Sequence, residues 1–184
     1  MSREDEPKKS PHRLWKWAVP DAICQLPQLG LSCFGCCGYD WAPIEQLKKQ
    51  ISMNTWRFTK MYTSKDAFAQ TTTGITAVGI CKGVIELDDG SIGCPMHPAQ
   101  NGGKDLRAGD CLQHYECNAL RHYKKWPTER RVQYLEFIAR GKFDTYTYSL
   151  SNSNSSLITA FMESETKSFS ERLKGVFAGP SDDK

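Results

Sequence analysis

Three thiols and two glycines fall within Cys33-Phe34-Gly35-Cys36-Cys37-Gly38, and a fourth thiol, Cys24, lies nine residues upstream. Cys81, Cys94, Cys111 and Cys117 follow, so all eight cysteines lie in residues 24–117. Thiolates are soft ligands that suit zinc and iron–sulfur clusters. Cys33-x2-Cys36 and Cys94-x2-His97 have the spacing of metal knuckles, and His114-x2-Cys117 has it in reverse order. Gly35 and Gly38 let the main chain bring its N–H groups close to sulfur. Eight thiols suffice for two all-thiolate centres, or for one such centre and a mixed zinc site. The adjacent Cys36 and Cys37 do not easily serve one ion without strain. They point into two neighbouring centres, or one of them is free. The expected ligands are Cys24, Cys33, Cys36, Cys37, Cys81, Cys94, His97, Cys111 and Cys117. The expected cofactor is zinc or a 4Fe-4S cluster, and the sequence does not distinguish them.

Blander readings compete. A single cysteine such as Cys24 or Cys81 also packs well as a small hydrophobe. Disulfides are disfavoured because the polar start, Met1-Ser2-Arg3-Glu4-Asp5-Glu6, carries no apolar leader. No run of about 18 apolar residues exists, so no membrane partner is expected. A cytoplasmic location is the default expectation. A catalytic pair of Cys111 with His114 or His97 has no distinguishing local signature.

The order Cys33-x2-Cys36-Cys37-Gly38, a helix, Cys81, Asp89-Gly90, then Cys94-Pro95-Met96-His97-Pro98 resembles the cysteine-cluster zinc- or iron-chelating family (YkgJ-like) over about residues 24–117. In that family a CxxCC-type cluster precedes a helix, and a later cysteine-bearing region completes the set. His97-Pro98 stands where the family has Arg-Pro, and Cys111 follows later than the family places its next cysteine. The resemblance implies metal chelation with no settled reaction.

Positioning these residues needs ordered elements around them. Ile44, Leu47, Ile51, Phe58 and Met61 form a 3.6-residue stripe that predicts a helix over 43–62, with Asp40 as its cap and Pro43 in its first turn. Asp89-Gly90 between apolar residues predicts a hairpin, with Cys81 at its entry and Cys94 at its exit. A helix is expected from Asp110 to Trp126, placing His114, Cys117 and His122 near one another. Thr128 is expected to cap a helix that Gly141 stops.

These elements predict a mainly α fold with a short β-hairpin, a small irregular single domain stapled by metal. Residues 1–12 read as a disordered tail and 13–147 as the cysteine-rich metal-binding domain. Residues 148–156 read as a Ser/Asn linker, and 157–184 as a C-terminal helix and tail. The stripe Ile158, Met162, Phe169, Leu173 and Phe177 suits packing on the body, a protein partner or a homodimer.

The 184 residues carry 24 basic and 21 acidic side chains, a net charge of +3. That mild balance argues against nucleic acid as the partner. It leaves the basic-aromatic run Arg121–Trp126 as a solvated helix face beside a core tryptophan. The expected function is metal binding of unassigned biochemical role. The alternatives are an iron–sulfur redox or transfer enzyme with an open coordination position, and a zinc-stabilised nucleic-acid-binding module.

Overall fold

The computed structural model describes residues 16–71, 74–108, 111 and 113–164. It is mainly helical, as the sequence predicts, with two small antiparallel hairpins where the sequence predicts one. The tail 1–12 and the stripe members Phe169, Leu173 and Phe177 lie outside the described residues.

The first hairpin pairs β1 (Gln25–Leu26) with β2 (Leu31–Ser32). Pro27–Leu29 forms a 3-10 turn between them, and Gly30 closes it with φ 65°. Glycine is suited to that left-handed position. In the sequence only Pro27 and Gly30 cue this turn, and strands of two residues are too short to show a period.

Helix α1 (Ile44–Met61) matches the predicted stripe, with Leu47 and Ile51 buried. Its cap differs from expectation. Pro43 occupies the N-cap, and Asp40 sits in a turn at φ 49°. A short α2 (Lys65–Thr71) follows. Phe68 of α2 meets Phe58 and Tyr62 edge-on. The predicted hairpin forms from β3 (Ile85–Glu86) and β4 (Ile92–Gly93), with Gly90 at φ 78° in its turn.

Helix α3 (Asn118–Lys125) is shorter than the expected 110–126. Cys117 is its N-cap, so His114 and Cys117 stand in the loop before it rather than on one helical face. The Cys117 sulfur accepts the main-chain N–H of Leu120, and that bond fixes the start. Helix α4 (Thr128–Gly141) starts from Pro127, without a side-chain cap from Thr128. Lys142, not Gly141, takes the left-handed position at its end.

Residues 145–153 correct the linker reading. They form helix α5 (Thr145–Ser153), capped by Asp144, whose carboxylate accepts the N–H of Thr147 at 2.7 Å. Tyr148, Ser149, Ser151 and Asn152 of α5 are buried. Low-complexity composition misleads here because small hydroxyl side chains satisfy themselves inside a tight helix. The Ser149 hydroxyl donates to the Thr145 carbonyl at 2.7 Å, and that of Ser153 donates to the Leu150 carbonyl at 2.8 Å. Helix α6 (Ser156–Glu163) then buries Leu157, Ile158 and Phe161.

The main core joins α3–α6 with Ile23, Leu26 and Leu31 of the first hairpin region. A second cluster surrounds Phe34, Leu47, Ile51, Ile80, Val84 and Ile92. The cysteine turn 33–38 runs between these two masses, because Phe34 belongs to one while Cys33 packs against the other.

Candidate functional site

The register of the first hairpin sets the first pair of thiols. Gln25 faces Ser32, so Cys24 and Cys33 flank the hairpin opposite each other, and the N–H of Cys33 donates to the Cys24 carbonyl at 2.8 Å. The turn that follows is clamped on both sides. The Phe34 N–H donates to the Ser149 hydroxyl at 3.1 Å, and a Cβ at Gly35 would run into the Ser149 carbonyl. On the other side the Cys81 N–H donates to the Cys37 carbonyl at 2.7 Å, and that of Tyr39 to the Gly79 carbonyl at 3.0 Å. A Cβ at Gly38 would overlap the Gly79 carbonyl, so glycine permits this approach.

Cys81 is held from below by α1. The buried side-chain amide of Asn54 donates to the Cys81 and Val84 carbonyls at 3.3 and 3.0 Å. The β3–β4 hairpin then returns the chain so that Cys94 comes back beside Cys81. A Cβ built on Gly83 would have the Cys81 sulfur at 3.7 Å and the Cys94 sulfur at 3.8 Å.

These elements sort the eight thiols between two cavities. Cys24, Cys33, Cys36 and Cys117 line a cavity of about 30 Å³, closed by Leu120, Asn152 and Ser153. That volume suits about one small bound species. Cys37, Cys81, Cys94 and Cys111, again with Cys36, line a much larger one of about 520 Å³. His97 also lines the large cavity, whereas His114 is exposed and lines neither. All eight cysteines are free.

Burial governs their acidity. It pushes Cys24 up to about 12 and Cys94 up to about 11. It raises Cys33, Cys81, Cys111 and Cys117 as well, with Cys111 the more open to solvent. Cys36 is the exception. Its sulfur lies 3.9 Å from that of Cys37, and this hydrogen bond brings Cys36 down to about 7 while holding Cys37 well up. Main-chain N–H groups also aim at sulfur, from Gly35 to Cys33 and from Gly83 to Cys81, each at 3.4 Å. Such donors favour the thiolate form.

Oδ1 of Asn152, a residue that lines the small cavity, is buried with no hydrogen bond, and so is the Tyr134 hydroxyl, whose ring packs against Tyr123, Trp126 and Phe161. Burial, and then the charges of Cys117 and Cys33, push the Tyr134 phenol up. A buried polar group without a partner costs about 1–3 kcal/mol. Among the described residues, no three His, Cys, Asp or Glu side chains close on one point as they stand. The thiols line walls, and gripping one ion requires their side chains to turn inward.

Sequence reasoning missed several residues of these cavities. Tyr39, Arg107 and Tyr115 line the large one, and Tyr115 borders both. No local spacing marks any of them, because chain folding over long separations brings them in. No protein-family model, no curated protein and no solved structure matches this chain.

Proposed function

We propose that this chain is a metal-binding protein with two thiolate centres of different openness. Cys24, Cys33, Cys36 and Cys117 form the closed centre. Cys37, Cys81, Cys94 and Cys111 form the open one, beside the large cavity. Closed four-ligand sites stabilise folds, whereas chemistry needs a site that leaves room for a further ligand. The observation that carries this reading is the sorting of the thiols: Cys24, Cys33, Cys36 and Cys117 line the small cavity, and Cys37, Cys81, Cys94 and Cys111 line the large one, which Cys36 also reaches. The donor set suits zinc or an iron–sulfur cluster. The resemblance to the cysteine-cluster chelating family supports the same chemistry.

The test is anaerobic purification of the full chain, followed by elemental analysis and an absorption spectrum. Two bound metal centres per chain are expected. A colourless sample with stoichiometric zinc assigns both centres to zinc. A brown sample with broad thiolate-to-iron absorption assigns a cluster, and then the openness of the second centre favours the redox or transfer reading. A metal-free protein carrying four disulfides would overturn the proposal.

A further inference from the structure

The large cavity is far roomier than one ion needs, and its walls have a distinct chemistry. Most of the lining is apolar or sulfur-bearing, including Ala69, Ile75, Val84 and Met96, with Tyr39 and Tyr115 as exposed aromatic rings. A volume of about 520 Å³ lies within the range of small-molecule sites. Among the described residues, two nitrogen groups line it, from Arg107 and His97, and no Asp or Glu does.

Both groups offer donors. Arg107 gives Nε and Nη2 to the Asp105 carboxylate at 2.9 and 2.7 Å, and Nη2 also bonds the Gln113 carbonyl at 3.0 Å. Its Nη1 makes no hydrogen bond to another described residue. His97 Nδ1 accepts the Ala99 N–H at 3.2 Å, so in the neutral ring the proton sits on Nε2. The site therefore presents N–H groups and asks for an acceptor.

Charge narrows the ligand further. Asp105 already neutralises Arg107, and the two form one tight pair. A divalent ion on four thiolates carries net negative charge, which repels an anion. Among the described residues a cation would face two N–H donors and no carboxylate. An uncharged molecule avoids both penalties.

We propose that this cavity binds an uncharged, mainly apolar aromatic molecule with a carbonyl acceptor directed at Arg107 and His97. The inference builds on the open centre proposed above, and metal content measured on the same samples separates the two. If metal is absent and the ligand binds, only the metal reading fails. If metal is present and no ligand binds, only this one does.

The probe is coumarin, a neutral bicyclic lactone, titrated by heteronuclear NMR into the full chain as purified. Coumarin-3-carboxylate serves as its anionic counterpart. Coumarin is expected to bind with a dissociation constant near or below about 1 mM. In metal-loaded protein the carboxylate should bind roughly tenfold more weakly. Arg107→Met and His97→Phe should each weaken coumarin about fivefold. Ala108 is exposed and lines the cavity, so Ala108→Phe fills space without touching the core. It should weaken coumarin at least about tenfold. Carboxylate binding as tight as coumarin in metal-loaded protein would overturn the proposal. So would unchanged binding by Ala108→Phe, or no saturation below about 10 mM.

Discussion

The sulfurs of Cys36 and Cys37 lie 3.9 Å apart, yet Cys37 lines only the large cavity while Cys36 reaches the small one as well. Neighbours in the chain thus divide between two cavities. Cys37→Ser is expected to remove the metal of the open centre and leave that of the closed one. Cys36→Ser is expected to empty the closed centre and lower thermal stability. Elemental analysis of both variants beside the parent protein checks this. Equal losses from the two substitutions would show that the thiols serve one centre.

Metal uptake should rise steeply with pH. Buried thiols hold their protons, with Cys24 near 12 and Cys94 near 11, and each ligand must lose its proton to bind. Zinc added to weakly buffered metal-free protein should release protons, measurable with an indicator dye.

The metal-free fold should respond to pH with the opposite sign. An unfolded thiol ionises near 9.0, whereas folded Cys24 does so near 12. The folded state keeps the proton more tightly, so this contribution to stability is complete below about 9 and is lost as pH rises towards 12. Urea denaturation of metal-free protein at pH 8 and pH 10 should show lower stability at the higher value. Equal midpoints would show that the thiols are not buried as placed.

Tyr134→Phe should leave the metal-free chain at least as stable as the parent, because it removes a partnerless buried hydroxyl and keeps the ring in its aromatic core. Thermal melting in excess chelator measures this. A lower melting temperature would show that the hydroxyl has a partner in the folded state.

Ser149→Ala should strip the acceptor from the buried Phe34 N–H, which bonds Ser149 at 3.1 Å. The expected cost is about 1–3 kcal/mol, read from urea denaturation. Because Phe34 follows Cys33, metal at the closed centre should fall with it.

The legible parts of this fold are those with a period or a turn signal of their own. Helix α1 announces itself through Leu47 and Ile51, and the second hairpin through Asp89-Gly90. The cysteine cluster is legible as chemistry because its spacing is local. Its division into two sets is not, because it depends on the Cys24–Cys33 hairpin register and on where Cys117 returns. Helix α5 is illegible for a different reason. Ser149, Ser153 and the Asn152 amide N–H donate to carbonyls of their own helix, so polar composition hides a buried element.

The chain order of the two sets is nested. Cys24, Cys33 and Cys36 precede every thiol of the open set, and Cys117 follows them all. An ion on the closed set therefore ties off one long loop, and Cys37, Cys81, Cys94 and Cys111 all lie inside it. Dependence between the two runs one way. Untying the outer knot frees both ends of the segment that carries the inner one, whereas emptying the inner one leaves the outer knot tied.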